Sequence, residues 1–125
     1  MIKPDSRTAA ILRRVQSAAR DVYQELGWGW REEVYREALA IELAPLQVSC
    51  EVAQPVLYKG VALSHVSVHW DMVVEGCVLV ELKAVKSKLP ASATRQVQRY
   101  NQASGTYRCI AINFPDRPGA SVECT

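Results

Sequence analysis

The chain has 125 residues and a mass of 13.9 kDa, which fits one compact domain over residues 1–125 with one active site. Its 49% hydrophobic and 22% charged residues exclude disordered and collagen-like proteins, and the net charge of +2 identifies no partner. The four cysteines are irregularly spaced, so we expect free thiols and no zinc site. No apolar run approaches the about 18 residues of a membrane span, and residues 1–14 do not resemble a secretion signal. We therefore expect a cytoplasmic protein that does not contact a membrane.

The first part of the chain predicts two helices. Apolar side chains recur at helical spacing from Ser6 to Leu26, and Gly27 follows as a helix stop. After a break at residues 27–30, a second amphipathic pattern begins and ends before Pro45, which cannot continue a helix. Both helices precede the first predicted strand.

From Val48 the pattern changes to β-branched residues separated by short turn signals. Three strands are predicted, over residues 48–57, 61–74 and 77–85. A helix is predicted for about residues 92–103, closed by Gly105, and a nearly all-apolar strand for residues 107–114. The order α, α, β, β, β, α, β predicts an α+β domain.

The third predicted strand carries two charges among apolar neighbours. A strand that is apolar on both faces is normally central in a sheet, where Glu81 and Lys83 are costly to bury unless they are paired or bound to a metal. Side chains two residues apart on a strand share a face. The preceding strand adds Asp71, so two acids and one lysine are candidates for one site.

Whether Asp71 joins Glu81 depends on the register of the hairpin between these strands. A two-residue turn separates the two acids onto opposite faces. A three-residue connection over residues 74–76 pairs Asp71 with Leu79 and places both acids on the face of Lys83. Glycine at the third loop position favours this register. An ion pair between Lys83 and one acid is the structural alternative.

Two carboxylates and a lysine on one surface suit a hard divalent cation. Mg²⁺ binds carboxylate oxygens, water and substrate phosphate, and it can activate a water molecule and neutralise charge on phosphorus. The lysine supplies a point charge that can hold the phosphate or the attacking water. These residue types therefore indicate metal-assisted hydrolysis of a phosphodiester.

Basic residues are concentrated late in the chain. Residues 82–115 contain six basic and no acidic side chains, whereas the remainder has nine basic against thirteen acidic ones. Such a segment is either a solvated face or a surface for phosphate. Charge alone does not decide between the two.

Several motifs together resemble the PD-(D/E)XK nuclease superfamily. Asp71, Glu81 and Lys83 have the spacing of its acid, acid, x, lysine signature, with Trp70 where proline is usual. The predicted order of helix, three strands, helix and strand is similar to the core of that superfamily.

Further motifs narrow the resemblance to its GxxExxY family. Gly29, Glu32 and Tyr35 occupy the positions that give this family its name. Residues 96–100 resemble the Gln-to-Tyr helix motif that several nuclease branches carry after the lysine. Three other stretches are also similar to the family: residues 58–60, 80–85 and 112–114. The resemblance covers about residues 27–114.

The resemblance implies an αβββαβ restriction-endonuclease-like core, with a mixed four-stranded sheet flanked by helices and an extra N-terminal helix. It implies a nuclease that uses Mg²⁺ or Mn²⁺ to hydrolyse nucleic acid, with DNA as the expected substrate. Asp71 and Glu81 would then hold the metal, Lys83 would assist the water, and Glu32 would complete the metal site.

Residues of the third predicted helix are expected to contribute to the same site. Gln96 and Tyr100 lie four residues apart and so share a helix face. The resemblance implies that Gln96 orients Lys83, a metal-bound water or a phosphate, and the alternative is a solvated neighbour of a half-buried Tyr100. The expected phosphate contacts are basic: Lys86, Lys88, Arg95 and Arg99. Tyr100 is also expected to bind the substrate.

Several alternatives stay open. His69 shares the strand parity of Asp71 and is a secondary candidate near the site. Trp28 and Trp30 flank Gly29, and packing in the core or in a homodimer interface explains them better than base stacking. The alternative functions are a binding module for nucleic acid or protein that keeps the fold without cleaving, and a small-molecule or protein-interaction domain whose charges are structural.

Overall fold

The structure, a computed structural model, describes residues 6–103 and 107–125. The helices of this part of the chain are α1 (Ser6–Leu26), α2 (Glu32–Leu43) and α3 (Ala91–Ala103). Its strands are β1 (Val48–Tyr58), β2 (Val61–Val74), β3 (Val78–Lys83), β4 (Arg108–Asn113) and β5 (Glu123–Cys124). Every predicted element is present, and Gly105, predicted to close α3, lies outside the described residues. None of the helices described is long and apolar enough to cross a membrane.

The strands form one mixed sheet in the order β1-β2-β3-β4-β5. β1, β2 and β3 form the predicted antiparallel meander, and β3 and β4 are parallel, with α3 as the crossover between them. The α+β class is confirmed. The predicted count of four strands is wrong by one, because β5 pairs with the outer edge of β4. A two-residue strand is too short to produce an alternating pattern in the sequence.

Helices cover both faces of the sheet. α1 and α2 pack on one face, in a cluster that includes Val80 and Ile112. α3 packs on the other face, in a second cluster that includes Leu79. Because alternate side chains of a strand point to opposite faces, Glu81 and Lys83 lie on the α3 face with Leu79.

The hairpin of β1 and β2 extends beyond the rest of the sheet. β3 pairs with residues 72–74 of β2, so the more distant part of the hairpin has two strands. Its end is exposed on both faces, including the apolar side chains of Leu57 and Val66. Nearer the sheet, the Tyr100 hydroxyl of α3 donates a hydrogen bond to the Pro55 carbonyl at 3.3 Å.

The four cysteines are free thiols, as predicted, and two of them are buried. Burial raises the pKa of the Cys109 thiol to about 12, an effect that Arg108 partly opposes. A thiol with so high a pKa is protonated at neutral pH and therefore a poor nucleophile.

Candidate functional site

A three-residue connection joins β2 to β3. Val74 pairs with Val78 across the hairpin, and the three residues between them form the loop. Glu75 and Gly76 both have positive φ, at 52° and 65°. The left-handed glycine is as predicted, and the odd loop length keeps the acids of the two strands on one face.

The observed register differs from the predicted one by two residues. Leu79 pairs with Val73, so the predicted pairing of Leu79 with Asp71 is wrong. The reason is that β2 continues one residue further and the loop begins one residue later. A shift of two residues preserves the face of every side chain. The last observed pair is Met72 with Val80, and extending the same register by one residue places Asp71 opposite Glu81.

His69, Asp71 and Glu81 form a cluster that could hold a metal ion. One ligand atom from each side chain lies within 4.8 Å of the others. Asp71 is 9% exposed, and its Oδ2 accepts a hydrogen bond from the Leu82 backbone N–H at 2.7 Å. Glu81 is half-buried and His69 is exposed, so the cluster opens to solvent on one side. The sequence signal for His69 was its strand parity with Asp71.

The two carboxylates of the cluster perturb each other. The pKa of Glu81 is raised to about 8. The largest cause is burial, followed by hydrogen bonding to Asp71 and repulsion from its charge. Lys83 opposes the shift and Glu32 adds to it. Two carboxylates this close share a proton unless positive charge neutralises them. A divalent cation would therefore allow both to ionise.

The raised pKa of Glu81 predicts how the stability of the metal-free protein depends on pH. The folded state binds this proton more tightly than the unfolded state does. The stabilisation is therefore complete below the ordinary pKa of 4.5 and is lost as the pH rises through about 8. Urea unfolding in EDTA between about pH 5 and about pH 9 should show a steeper fall in the free energy of unfolding for wild type than for Glu81→Gln.

Glu37→Gln is the matched control for this experiment, because Glu37 is an exposed glutamate on α2. This variant should keep the wild-type dependence on pH. Parallel curves for wild type and Glu81→Gln would contradict the raised pKa.

Lys83 and Glu32 approach the cluster from the end of β3 and the first turn of α2. The Ala84 backbone N–H lies near the Glu32 carboxylate and partly opposes the rise in its pKa. Burial raises the pKa of Glu32, with Lys83 opposing the shift and Asp71 increasing it. Glu32 and Lys83 are thus close enough to the acids for their charges to shift each other's ionisation, but Glu32 is not among the three residues whose ligand atoms converge. Lys83 forms no ion pair with any described residue, so the alternative of a salt bridge is not observed.

Gln96 and Tyr100 lie on the side of α3 that contacts the β1–β2 hairpin. The Gln96 side-chain amide donates a hydrogen bond to the His69 carbonyl at 3.2 Å. The ring of the half-buried Tyr100 packs edge-on against Trp70, with 5.1 Å between the ring centroids. Gln96 therefore contacts the backbone that carries His69 rather than Lys83 itself.

Arg95 and Arg99 line a groove between α3 and β2. The groove has a volume of about 280 Å³, and its other lining residues are Val68, Ser92, Gln96 and Tyr100. Lys86 and Lys88 are exposed in the loop between β3 and α3. The four basic residues expected at the substrate therefore belong to two surfaces, the groove and this loop.

Asn113 is a buried polar residue to which the sequence analysis assigned no role. Its side chain accepts a hydrogen bond from the Val85 N–H at 3.0 Å and donates one to the Ser87 carbonyl at 3.1 Å. These bonds hold the backbone of the loop that carries Lys86 and Lys88. The sequence could have indicated this role, because Asn113 is a lone amide in a nearly all-apolar strand and a buried amide requires hydrogen-bond partners.

Trp28 and Trp30 lie at the surface, 52% and 50% exposed, so the core is excluded for both and the homodimer interface stays a prediction. Gly27 precedes Trp28 and Gly29 precedes Trp30, and both glycines have positive φ, at 73° and 97°, which a residue with a side chain rarely adopts. The Trp30 indole N–H donates a hydrogen bond to the Leu26 carbonyl at 3.0 Å.

Comparison with known proteins agrees with this geometry. The sequence model of the PD-(D/E)XK nuclease superfamily matches residues 9–123, which is nearly the whole chain. A search of curated proteins and a search of solved structures each give no match. On the strength of the family match, this chain belongs to the PD-(D/E)XK nuclease superfamily.

Proposed function

We propose that this chain is a divalent-metal-dependent nuclease that hydrolyses phosphodiester bonds in DNA. The observation that carries the proposal is the cluster of His69, Asp71 and Glu81, whose ligand atoms lie within 4.8 Å of one another. Lys83 and Glu32 beside the cluster supply the remaining members of the acid and lysine set. The superfamily match supports this reaction class.

We assign the chain to the GxxExxY family, because that pattern has a structural explanation in this fold. Gly29 adopts a φ of 97°, which a residue with a side chain rarely does. Tyr35 is buried, and its hydroxyl donates a hydrogen bond to the Gly27 carbonyl at 2.7 Å. The glycine and the tyrosine thus fix the loop on the N-terminal side of Glu32, and this supports the assignment.

The donor set fits a hard divalent cation such as Mg²⁺ or Mn²⁺. In the proposal Asp71 and Glu81 hold the metal, and Glu32 and His69 are the nearest further donors. The raised pKa of Glu81 supports this fit, because the site gains from positive charge. A bound cation would lower the pKa of a water molecule and neutralise charge on the phosphate.

The chain's own groups account for the other roles. The Lys83 ammonium, beside the carboxylates, can hold a phosphate oxygen or the attacking water. The Leu82 N–H fixes the orientation of the Asp71 carboxylate, as outer hydrogen bonds commonly do for metal ligands. Gln96 holds the backbone of His69 and so positions that side chain.

We further propose that basic side chains bind the phosphate backbone of the substrate. Arg95 and Arg99 line the groove, and Gln96 joins its lining to the backbone of His69. A strand in this groove would therefore lead to the metal cluster. Lys86 and Lys88, on the loop after β3, would contact neighbouring phosphates.

The phosphate contacts predict a strong dependence of binding on salt. The slope of log affinity against log salt should flatten by roughly 0.7 to 0.9 when one phosphate contact is removed. Arg95→Ala and Arg99→Ala should each show this change and should weaken binding similarly across sequences. The measurement is a salt series of binding constants with Ca²⁺ in place of Mg²⁺. Arg13→Ala, on the exposed face of α1, is the control and should keep the wild-type slope.

The proposed activity is tested by incubating purified protein with single-stranded, duplex and branched DNA and with RNA. Cleavage should require Mg²⁺ or Mn²⁺, stop in EDTA and be lost in Asp71→Asn. If the protein cleaved RNA but not DNA in a metal-dependent reaction, the proposed substrate would change from DNA to RNA. Binding of DNA without cleavage under any of these conditions would favour the alternative, a module that keeps the nuclease fold without its activity.

We propose that residues 1–125 form one nuclease domain with its core at about residues 27–114. We also propose that the protein is cytoplasmic, where its four free cysteines would stay reduced.

A further inference from the structure

We propose that Trp28 and Trp30 form a stacking site for unpaired nucleobases beside the metal cluster, so that single-stranded DNA is preferred to continuous duplex. The inference rests on the proposed function, because it names the substrate class of the same site. Both indoles are about half exposed, at 52% and 50%.

The tryptophan loop lies close to the cluster along the chain. Trp30 is two residues before Glu32, so chain geometry keeps their Cα atoms within about 7 Å of each other. The Glu32 carboxylate in turn lies near the Ala84 backbone N–H, immediately after Lys83, which partly opposes the rise in the pKa of Glu32. A base next to a phosphate at the cluster is therefore within reach of this loop.

A series of contacts fixes the same loop to the edge of the sheet where β3 and β4 end. The Phe114 N–H donates a hydrogen bond to the Lys83 carbonyl at 2.9 Å. The Phe114 ring stacks on Tyr35, with 4.4 Å between centroids and an interplanar angle of 2°. The Tyr35 hydroxyl then bonds to the Gly27 carbonyl. The position of Trp28 and Trp30 is thus tied to that of Lys83.

The Trp30 indole is held in place before any ligand binds. Its N–H is bonded to the Leu26 carbonyl, which orients the ring while half of its surface stays exposed. A side chain that is already ordered loses little entropy on binding. Arg31 follows directly, with 82% of its side chain exposed and its guanidinium 3.6 Å from the exposed Glu33 carboxylate. Aromatic rings beside basic groups are the usual means by which proteins bind single strands.

The surroundings of the indoles favour bases over a second copy of the chain. The cores of protein interfaces are depleted of charge, whereas Trp30 is followed by Arg31, Glu32 and Glu33. Inside a duplex both faces of every base are stacked, so an indole can reach a base face only at an unpaired base or at the terminal base pair. The substrate class that fits the site is therefore single-stranded DNA or an unpaired end.

The test measures binding rather than cleavage, with the Lys83→Met protein in EDTA. Titration with an oligo(dT) of roughly 15 nucleotides should quench the tryptophan fluorescence. Trp28→Ala and Trp30→Ala, each made in the Lys83→Met protein, should lower the affinity for oligo(dT) by about ten-fold, and the affinity for a blunt duplex by less than about two-fold. Ile41→Ala is the control, because Ile41 is an apolar side chain that is 77% exposed elsewhere on α2.

Unchanged affinity for oligo(dT) in both alanine variants, or binding without quenching, would overturn the inference. A dimer that dissociates in these variants while the affinity for oligo(dT) is kept would also overturn it, by making the tryptophans a homodimer contact. If an alanine variant does not fold, Trp28→Phe and Trp30→Phe should retain most of the affinity, and the quenching titration needs no tryptophan variant. Absence of cleavage by wild type would reject the proposed function but not the stacking site, since quenching is read without turnover.

Discussion

Lys83→Met should reduce cleavage by at least about 10²-fold while leaving the affinity for metal close to that of wild type. Lys83 lies beside the carboxylate cluster and is not one of its ligand groups. Methionine retains the length of the side chain and removes the charge that would hold a phosphate oxygen or the attacking water. Single-turnover cleavage and calorimetric titration with Mg²⁺ or Mn²⁺ would measure the two effects separately.

Asp71→Asn should lower both the rate of cleavage and the affinity for metal. This result would distinguish a metal ligand from a group that acts on the water. The amide retains an oxygen that can accept the hydrogen bond from the Leu82 N–H, so the fold should be kept. Lys59→Met, at the exposed turn between β1 and β2, is the matched control for loss of a lysine charge. Equal loss of metal affinity in Lys83→Met and Asp71→Asn would contradict the assigned roles.

The elements of this fold were predictable because their signals are local. The spacing of apolar residues and the glycine that follows them predicted the observed end of α1 at Leu26. The two charges in β3 indicated a special position because they interrupt a central strand. The face shared by Asp71 and Glu81 followed from the odd length of the loop, although Gly76 is the second residue of the observed loop and not the third as predicted.

What was missed depends on contacts between distant residues. The register of β2 and β3 was displaced by two residues, since parity fixes the face but not the position along the strand. The exposure of Trp28 and Trp30 could not be read from residue type, because a large apolar side chain in a loop is equally compatible with burial. Asn113 acquires its role only when β4 lies beside the loop after β3.

Tyr35→Ala should have the largest effect on stability that we predict, a loss of about 3–5 kcal/mol. Tyr35 is fully buried, stacks on Phe114 and donates a hydrogen bond to the Gly27 carbonyl. Its hydroxyl also accepts a hydrogen bond from the Trp30 N–H at 3.4 Å. The substitution would leave a cavity and would free both backbone groups of the loop. Urea unfolding of wild type and variant would measure the loss.

Tyr35→Phe separates the contribution of the ring from that of the hydroxyl. It keeps the stack on Phe114 and removes only the two hydrogen bonds, so we expect a loss of about 1–2 kcal/mol. Tyr58→Ala, at a tyrosine that is 61% exposed, is the control and should change stability by less than about 0.5 kcal/mol. Equal stability of Tyr35→Ala and Tyr58→Ala would show that the tyrosine of the GxxExxY pattern does not hold the loop. In that case the pattern would need an explanation in the chemistry of Glu32 alone.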